Sequence, residues 1–349
     1  MPDVSVAIPV RDGGELFAEL LRVLSSQTVA HELVVCDSGS RDRSSRLAES
    51  HGARVLQIAP QRFSHGETRN LLMRETNGAH VALLTQDATP ADERWLERLL
   101  EGFALAPDVA LVYGPYRPRP QAALAVRLEL DGWFGSLSPD CSPQVERLDA
   151  RERGALASAE LRGRRGFFTD ANACVARAAW ERVPFREVPY AEDRVLAIDM
   201  LRAGYAKAFV PHAAVIHSHA YSPIEQLRRS FDEWRGLREV YGWREPASPR
   251  HLMSRVRGAL GQARGVLKDE GLSPARRGAA LARVGAHQVA SLCGALLGSR
   301  CGRMPAFVRR ALSLERRAGF APLALDGPAE MTATGPRIGD PPSGEASRA

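Results

Sequence analysis

Three short apolar runs, each followed closely by an aspartate, recur within residues 1–90 and constrain the fold more than any other feature of the sequence. Residues 4–10 precede Asp12, residues 33–36 precede Asp37, and residues 81–84 precede Asp87. Short β-branched runs separated by helix-like stretches are typical of βα units in a mostly parallel sheet. Ligands of such sheets bind beyond the carboxyl ends of the strands. The sequence therefore predicts an α/β fold, a mostly parallel sheet flanked by helices, in which these carboxylates face one crevice.

Charge and periodicity set the C-terminal part of the chain apart. Residues 250–317 hold 14 basic and three acidic side chains, so their net charge is +11 in a chain whose net charge is +6. From Leu252 the apolar positions keep a helical period, and arginines spaced seven apart lie on another face, namely Arg250, Arg257 and Arg264. Two further helices are predicted over 275–297 and 305–317. This segment is therefore predicted to be a basic helical extension.

The domain organisation follows from these patterns and from a Pro-rich hinge at residues 245–249. We predict an α/β domain over residues 1–244 and the helical extension over 250–320. Residues 321–349 are rich in Pro, Gly, Ala, Ser and Thr and show no periodicity, so they are predicted to be a disordered tail.

The composition favours a protein of the reducing cytoplasm. Five cysteines, an odd number without a Cys-x-x-Cys pair, indicate neither a disulfide framework nor a zinc finger. The first residues show no signal-peptide pattern, and the longest weakly polar stretch, residues 284–298, is shorter than the about 20 residues that a membrane-spanning helix needs. We expect a soluble chain, or one that is peripheral at the inner face of the cell membrane.

The loop after the first strand argues against a dinucleotide dehydrogenase. Arg11-Asp12-Gly13-Gly14 lacks the Gly-x-Gly-x-x-Gly pattern that brings a helix N-terminus onto a pyrophosphate. A nucleotide bound by carboxylates instead needs a divalent cation to neutralise its phosphates, and oxygen ligands suit Mg²⁺ or Mn²⁺. Asp87 is the natural metal ligand, although it would also serve as a helix N-cap, and Asp37 would also serve in a simple turn.

Five motifs follow one another in a characteristic order over about residues 3–242. They are residues 6–10, residues 34–42, Gly66-Glu67-Thr68-Arg69-Asn70, residues 83–90 and Ala191-Glu192-Asp193. In this order they resemble the inverting family 2 glycosyltransferases, which have the GT-A fold. The chain is most similar to the rhamnosyltransferase-like branch, through Phe63-Ser64-His65-Gly66, Thr85-Gln86-Asp87-Ala88 and residues 215–222.

The resemblance implies a nucleotide-sugar donor site at the strand ends. Asp37 would hold the base or ribose, with Pro9 and Arg11 lining the same pocket. Arg69 would lie near the phosphates or brace the loop that does, and Asp170 would hydrogen-bond a sugar hydroxyl. The implied donor-binding residues are Pro9, Arg11, Asp37, Arg69, Gln86, Asp87 and Asp170.

The resemblance also implies a Mg²⁺ or Mn²⁺ cofactor. Asp87 matches the second aspartate of the family's Asp-x-Asp motif, while Thr85 stands at the first position and cannot ligate as a carboxylate. His217 matches the histidine that closes the metal site in many relatives. Strand periodicity places His217 and His219 on one face, so the choice between them stays open, as does a structural role in which backbone groups satisfy both.

Glu192 and Asp193 are predicted to begin a helix that ends before Gly204. Acidic residues in a first helical turn are favoured by the helix dipole whether or not they act in catalysis. Direct displacement at an anomeric carbon, however, needs a base for the acceptor hydroxyl. The resemblance assigns that role to Asp193, with Glu192 as the alternative.

The function implied by the resemblance is inverting transfer of a sugar to a glycan or lipid-linked acceptor in cell-surface polysaccharide synthesis, with dTDP-L-rhamnose as the donor. The alternatives are a sugar-1-phosphate nucleotidyltransferase, whose Gly-x-Gly-Thr-Arg loop is absent, and an inactive carbohydrate-binding relative. Nucleic-acid binding is disfavoured because no aromatic residues interleave with the C-terminal arginines. The basic helices would either contact an anionic membrane or pack their apolar stripe on the α/β domain.

Overall fold

The computed structural model describes residues 2–154, 158–188, 190–268 and 271–314. The tail predicted over 321–349 lies outside these residues. The strands are β1 Val4–Val10, β2 Glu32–Asp37, β3 Arg54–Gln57, β4 His80–Leu84, β5 Thr89–Pro90, β6 Val109–Tyr113, β7 Tyr116–Arg117, β8 Gln144–Glu146, β9 Asn172–Ala176, β10 Ala206–Phe209 and β11 Val215–Ile216. The helices are α1 Gly14–Leu24, α2 Ser44–Ser50, α3 His65–Glu75, α4 Trp95–Glu101, α5 Leu124–Leu137, α6 Ala150–Gly154, α7 Ala159–Arg165, α8 Arg177–Trp180, α9 Glu192–Arg202, α10 Pro223–Tyr241, α11 Pro249–Lys268, α12 Pro274–Gly298 and α13 Ala306–Leu312.

Most strands join one central sheet with the order β3-β2-β1-β4-β9-β6-β10-β8, which is eight strands within the described residues. β1 pairs in parallel with β2 and β4, β2 with β3, and β6 with β10. β9 runs antiparallel between β4 and β6, and β8 is antiparallel to β10. The predicted mostly parallel sheet is confirmed, and its nearly continuous apolar strands are typical of strands buried on both faces.

Alternate side chains of β1 enter two cores on opposite faces of the sheet. Val6 and Ile8 pack in the core that α1 and α4 cover, whereas Ala7 packs in the core that α3 and α9 cover. All three side chains are fully buried. Because both faces of the sheet are packed, the carboxyl ends of its strands keep fixed positions along one edge of the sheet.

A second, small sheet joins three two-residue strands in the order β5-β11-β7. Ile216 of β11 lies opposite Thr89 of the antiparallel β5 and beside Arg117 of the parallel β7. Asp87 comes two residues before β5, and His217 directly follows β11. The small sheet therefore brings these two side chains together across 130 residues of sequence.

The helix that carries the predicted base begins and ends where the sequence indicates. α9 starts at Glu192 and is preceded by Ala191 in the left-handed conformation (φ 60°, ψ 37°). Gly204, with φ 92°, follows its end. A left-handed backbone costs about 1–2 kcal/mol for a residue with a Cβ, so the surrounding packing must hold Ala191 in place.

The C-terminal helices pack on the α/β domain through α12. Added Cβ atoms at Gly294 and Gly298 would overlap the carbonyl oxygens of Leu227 and Phe231, so the two helix backbones of α10 and α12 lie in direct contact. The helix predicted over 275–297 is confirmed by α12. The helix predicted over 305–317 is α13, which ends at Leu312 within the described residues and is therefore shorter than predicted. The extension therefore shares an interface with α10, the helix that precedes it in the chain.

The apolar stripe of α11 is only partly covered. Ala263 and Leu267 of the stripe are buried, whereas Val266 is 42% exposed and the stripe positions from Leu252 to Leu260 are half-buried. α11 lies against α12 and α5. The stripe therefore fits both roles considered above, packing on the protein and contact with a membrane, because part of it is buried while part of its surface faces solvent.

By length and composition alone, α12 would be able to cross a membrane, and it is one helix of this kind in the described part of the chain. This differs from the expectation that the apolar stretch is too short, because α12 continues N-terminally to Pro274 through Ala-rich turns. The same test is passed by core helices of water-soluble proteins; in α12, 28% of the apolar window is buried, and one face of its C-terminal half packs against α10.

Candidate active site

The turn after β2 is organised by Asp37. Its carboxylate is buried and accepts hydrogen bonds from the backbone N–H groups of Gly39 (3.0 Å) and Ser40 (2.8 Å) and from the Ser45 hydroxyl. These bonds correspond to the loop role that the sequence left open. A nucleotide contact by Asp37 stays a prediction.

The other strand-end residues share the same edge of the sheet. The backbone N–H of Arg11 donates to Gln86 Oε1 at 2.7 Å, which joins the loops after β1 and β4. Asp12, in the left-handed region at φ 48°, accepts from Arg41 N at 2.6 Å and so ties the β1 loop to the β2 loop. Pro9 pairs with Cys36 in the neighbouring strand. The predicted donor residues Pro9, Arg11, Asp37 and Gln86 are thus brought together.

Asp87, His217 and His219 form a cluster with the chemistry of a divalent-cation site. The Asp87 carboxylate lies 3.6 Å from His217 Nδ1 and 3.7 Å from His219 Nδ1, and one ligand atom of each residue lies within 4.8 Å of the others. Ligands that each sit about 2 Å from a common ion have such mutual separations. Both imidazoles that the sequence offered therefore reach Asp87.

The electrostatics of this cluster also suit a cation. Burial lowers the pKa of His217 and of His219, and neutral imidazole is the form that ligates a metal. Thr85, at the first position of the family motif, has a buried hydroxyl oxygen that finds no hydrogen-bond partner in the described residues. The Asp87 carboxylate and the two imidazoles are therefore the groups that fit Mg²⁺ or Mn²⁺.

Arg69 connects this cluster to the other side of the crevice. Its guanidinium is buried and donates to Asp170 Oδ2 (2.8 Å), to the Asp170 carbonyl (3.1 Å) and to the Leu84 carbonyl (2.9 Å). Leu84 ends β4, three residues before Asp87. These contacts correspond to the bracing role among the two that the sequence left open for Arg69.

Three carboxyl groups meet at the start of α9. Burial, followed by the negative charge of Asp170, raises the pKa of both Glu192 and Asp193. A raised pKa is a common property of carboxylates that act as bases near neutral pH. Asp193 Oδ1 accepts from Arg194 N at 2.7 Å, and Glu192 lies 3.7 Å from His65 Nδ1. Glu192 is buried and Asp193 only half-buried, so Asp193 is the more accessible to a substrate.

Matches to known proteins identify the family of this chain. Residues 5–135 match the family model described as Glycosyl transferase family 2. The chain is 31% identical over 235 residues to the O-antigen chain rhamnosyltransferase RfbN of Salmonella typhimurium, a match that covers 66% of this chain and 70% of RfbN. The chain belongs to glycosyltransferase family 2.

Two further relatives extend the comparison. This glycosyltransferase is 27% identical over 239 residues to the O-antigen chain rhamnosyltransferase WbaN of Salmonella anatum, covering 66% of this chain and 71% of WbaN. The mannosyltransferase PcManGT from Pyrobaculum calidifontis, solved in complex with GDP-Man and Mn²⁺, has a TM-score of 0.54 at 19% identity and 86% coverage of both chains. The predicted family, its rhamnosyltransferase-like branch and the GT-A fold are confirmed, and the chain is a glycosyltransferase.

Three side chains that the sequence did not single out surround the metal-type cluster of this glycosyltransferase. They are Tyr116, Arg119 and Arg229. The Tyr116 ring lies 4.9 Å from the His217 ring, and its hydroxyl bonds to that of Thr169. Arg119 Nη2 donates to the Asp87 carbonyl at 2.6 Å, and Arg229 packs over and bonds to Tyr190.

These three residues lack a local sequence signal. Arg119 lies in the run Arg117-Pro118-Arg119-Pro120, which is ordinary loop composition, and Arg229 is one of many arginines in α10. After burial, the charges of Arg119 and Arg229 contribute to lowering the pKa of both histidines. The two guanidinium groups therefore add positive charge beside the Asp87 carboxylate, whose own negative charge acts on the histidines in the opposite direction.

Proposed function

We propose that this glycosyltransferase transfers L-rhamnose from dTDP-L-rhamnose to a hydroxyl of a glycan or lipid-linked glycan in cell-surface polysaccharide synthesis. The similarity to two O-antigen chain rhamnosyltransferases supports the choice of sugar. The Arg69 brace is the observation that supports the reaction type most directly. It joins the end of β4, three residues before Asp87, to Asp170, whose charge acts on both carboxyl groups of α9. A donor diphosphate and an acceptor hydroxyl would then meet between two fixed sets of groups.

Asp87 and His217 would hold Mg²⁺ or Mn²⁺, with His219 as a further candidate ligand. The close grouping of Asp87 with two imidazoles, whose pKa burial lowers, supports this assignment, as does the shared fold with a mannosyltransferase solved with GDP-Man and Mn²⁺. A bound cation would neutralise charge on the leaving diphosphate. Arg119 and Arg229 would add positive charge at the same place.

The proposed reaction is a single displacement with inversion. The acceptor oxygen attacks the anomeric carbon while its proton passes to the Asp193 carboxylate. The bond from the anomeric carbon to the diphosphate breaks, and its electron pair leaves with dTDP. Asp193 suits the role of base because its pKa is raised and Arg194 N orients one of its oxygens. Inversion at a β-configured donor would give an α-rhamnoside.

The donor assignment is tested by offering dTDP-L-rhamnose, GDP-mannose and UDP-N-acetylglucosamine to the full chain, with Mg²⁺, Mn²⁺ or excess chelator. We expect consumption of dTDP-L-rhamnose that depends on the cation. Asp193→Asn should bind the donor normally and lose about 10²-fold or more in turnover. A preference for another donor would contradict the choice of rhamnose, and full activity in excess chelator would contradict the role of the cation. An Asp193→Asn enzyme that kept a tenth of the wild-type turnover would contradict the role of Asp193 as base.

We further propose that the helical extension contacts the anionic inner face of the cell membrane. Residues 250–317 carry the net charge of +11, and α11 and α12 form an open apolar groove of about 360 Å³. Met253 and Val289 on this groove are half-exposed, and Arg257 lines its edge. An exposed apolar surface beside arginines suits an anionic lipid interface, where each nearby cation is worth about 1 kcal/mol.

Vesicle co-sedimentation of the full chain tests the membrane contact. Replacing Arg250, Arg257 and Arg264 by Glu should abolish binding to vesicles that contain phosphatidylglycerol and leave the weak binding to neutral vesicles unchanged. In the matched control, Glu replaces three exposed arginines of the α/β domain, namely Arg74, Arg151 and Arg182. This control should bind the vesicles as the wild type does. Equal losses in both variants would indicate net charge alone and would refute a specific role for α11.

A further inference from the structure

Trp133 of α5 is a large aromatic side chain that faces solvent. Its side chain is 45% exposed, while Phe134 beside it is buried against Tyr116 and Phe167. The other tryptophans of the chain are buried or half-buried, namely Trp95, Trp180, Trp234 and Trp243. An indole left in water forgoes a large burial energy, so an aromatic ring held in this position is available for a ligand.

Contacts link this indole to the proposed base. The Trp133 ring meets the Phe167 ring edge to face, with centroids 5.0 Å apart and planes at 74°. The Arg194 guanidinium lies 5.3 Å from the centre of the same Phe167 ring. The backbone N–H of this same Arg194 orients the Asp193 carboxylate. One aromatic ring and one guanidinium therefore separate the indole from the base.

The linking side chains are themselves fixed. Arg194 also lies 5.9 Å from the Tyr241 ring centre and 3.7 Å from the Glu233 carboxylate, so its position is set from three directions. Phe167 contacts Tyr113 in the core as well as Trp133. Because the platform does not need to be organised on binding, little entropy is lost when a ligand settles on it.

We infer that Trp133 and Phe167 form the acceptor subsite, on which one sugar ring of the acceptor lies with a hydroxyl directed to Asp193. A pyranose has an apolar face of C–H groups and an edge of hydroxyls, which matches an indole platform bordered by carboxylates. The inference rests on the proposed function, which needs an acceptor hydroxyl within reach of the base. Beyond that function, the inference names the place where the acceptor binds and the side chain that favours a ring-shaped ligand.

The position of α5 also suits an acceptor that extends beyond one sugar. Glu129, one turn before Trp133, lies 3.3 Å from His287 Nε2 of α12. The indole therefore lies about one helical turn from the contact between α5 and the extension. A glycan whose far end is attached to a lipid would run from the crevice along α5 toward α12.

Steady-state kinetics with variants of Trp133 provide the first test. Trp133→Ala should raise the acceptor KM about tenfold or more, while the donor KM and the slow hydrolysis of donor without acceptor stay within about twofold. Trp133→Phe should keep most of the acceptor affinity because it retains a ring. Leu105→Ala is the matched control, since Leu105 is 43% exposed and precedes β6 at the opposite edge of the sheet. An unchanged acceptor KM in Trp133→Ala overturns the inference.

Fluorescence provides a second test that does not depend on turnover. We expect Trp133 to contribute most to acrylamide quenching, because it is the most exposed of the five tryptophans. The probes are the methyl and octyl glycosides of four sugars, namely α-rhamnoside, α-mannoside, β-galactoside and N-acetyl-β-glucosaminide. For at least one sugar, the methyl and the octyl glycoside should protect the indole from acrylamide to the same extent. Protection by octyl glycosides alone would indicate an alkyl-chain site, and no protection would indicate no sugar site; either result overturns the inference. If the wild type consumes no donor, the proposed function is wrong. The quenching assay would still show whether a sugar binds at Trp133, because it needs no turnover.

Discussion

Replacing Arg69 by Met is expected to destabilise the fold strongly, because Arg69 is a brace. Its side chain is 3% exposed, and that of its partner Asp170 is 10% exposed. The substitution removes three hydrogen bonds, leaves a buried carboxylate without its cation, and frees the Leu84 carbonyl. Removing one partner of a buried ion pair typically costs about 3–5 kcal/mol, and we expect a loss in this range.

Urea unfolding of the full chain measures this loss. Arg69→Lys should lie between the wild type and Arg69→Met, since Lys keeps the charge and loses the forked geometry. In the double variant Arg69→Met with Asp170→Asn, the cost should be smaller than the sum of the two single costs, because no buried charge is left alone. Arg54→Met is the control, since the Arg54–Glu75 pair is exposed and worth at most about 1 kcal/mol.

The alternative role of Arg69 gives the opposite pattern. If the guanidinium served chiefly to bind donor phosphates, Arg69→Met would raise the dissociation constant of dTDP and leave the free energy of unfolding within about 1 kcal/mol of wild type. That result would refute the bracing argument and the mechanism that depends on it. It would also return Arg69 to the donor contacts that the resemblance implied.

Three shorter predictions follow from the site and the extension. Asp170→Asn removes a charge that raises the pKa of the base, so the acid limb of the kcat/KM profile should move to lower pH; no shift would contradict this. His217→Ala should weaken Mn²⁺ binding, measured by electron paramagnetic resonance, more than His219→Ala, because His217 is the less exposed ligand. Gly294→Ala should destabilise the chain by about 1–3 kcal/mol through overpacking, whereas Gly261→Ala, with open space around its Cβ, should stabilise it slightly.

The sequence sufficed for the parts of the molecule that local patterns determine. The apolar runs before Asp37 and Asp87 are strands whose burial on both faces leaves no polar position to obscure them. The start of α9 at Glu192 was likewise predictable, because its acidic first turn and the glycine after its end are local signals. These features need no knowledge of the tertiary structure.

The parts that stayed open depend on contacts between distant residues. Arg69 could not be assigned one role, since its partner Asp170 is 101 residues away. The choice between His217 and His219 stayed open because both rings reach Asp87. Trp133 gave no signal, because its exposure is a property of how α5 packs and not of its neighbours in sequence.

The direct contact between the backbones of α10 and α12 has a consequence for how the protein is made. The end of α12 leaves the ribosome about 60 residues after the end of α10, which takes about 3–12 s at about 5–20 residues per second. During this interval the face of α10 that Gly294 and Gly298 later cover is open in the nascent chain. Synthesis that stops within the extension would leave this face uncovered, so truncated products should be prone to aggregation even when every catalytic residue has been translated.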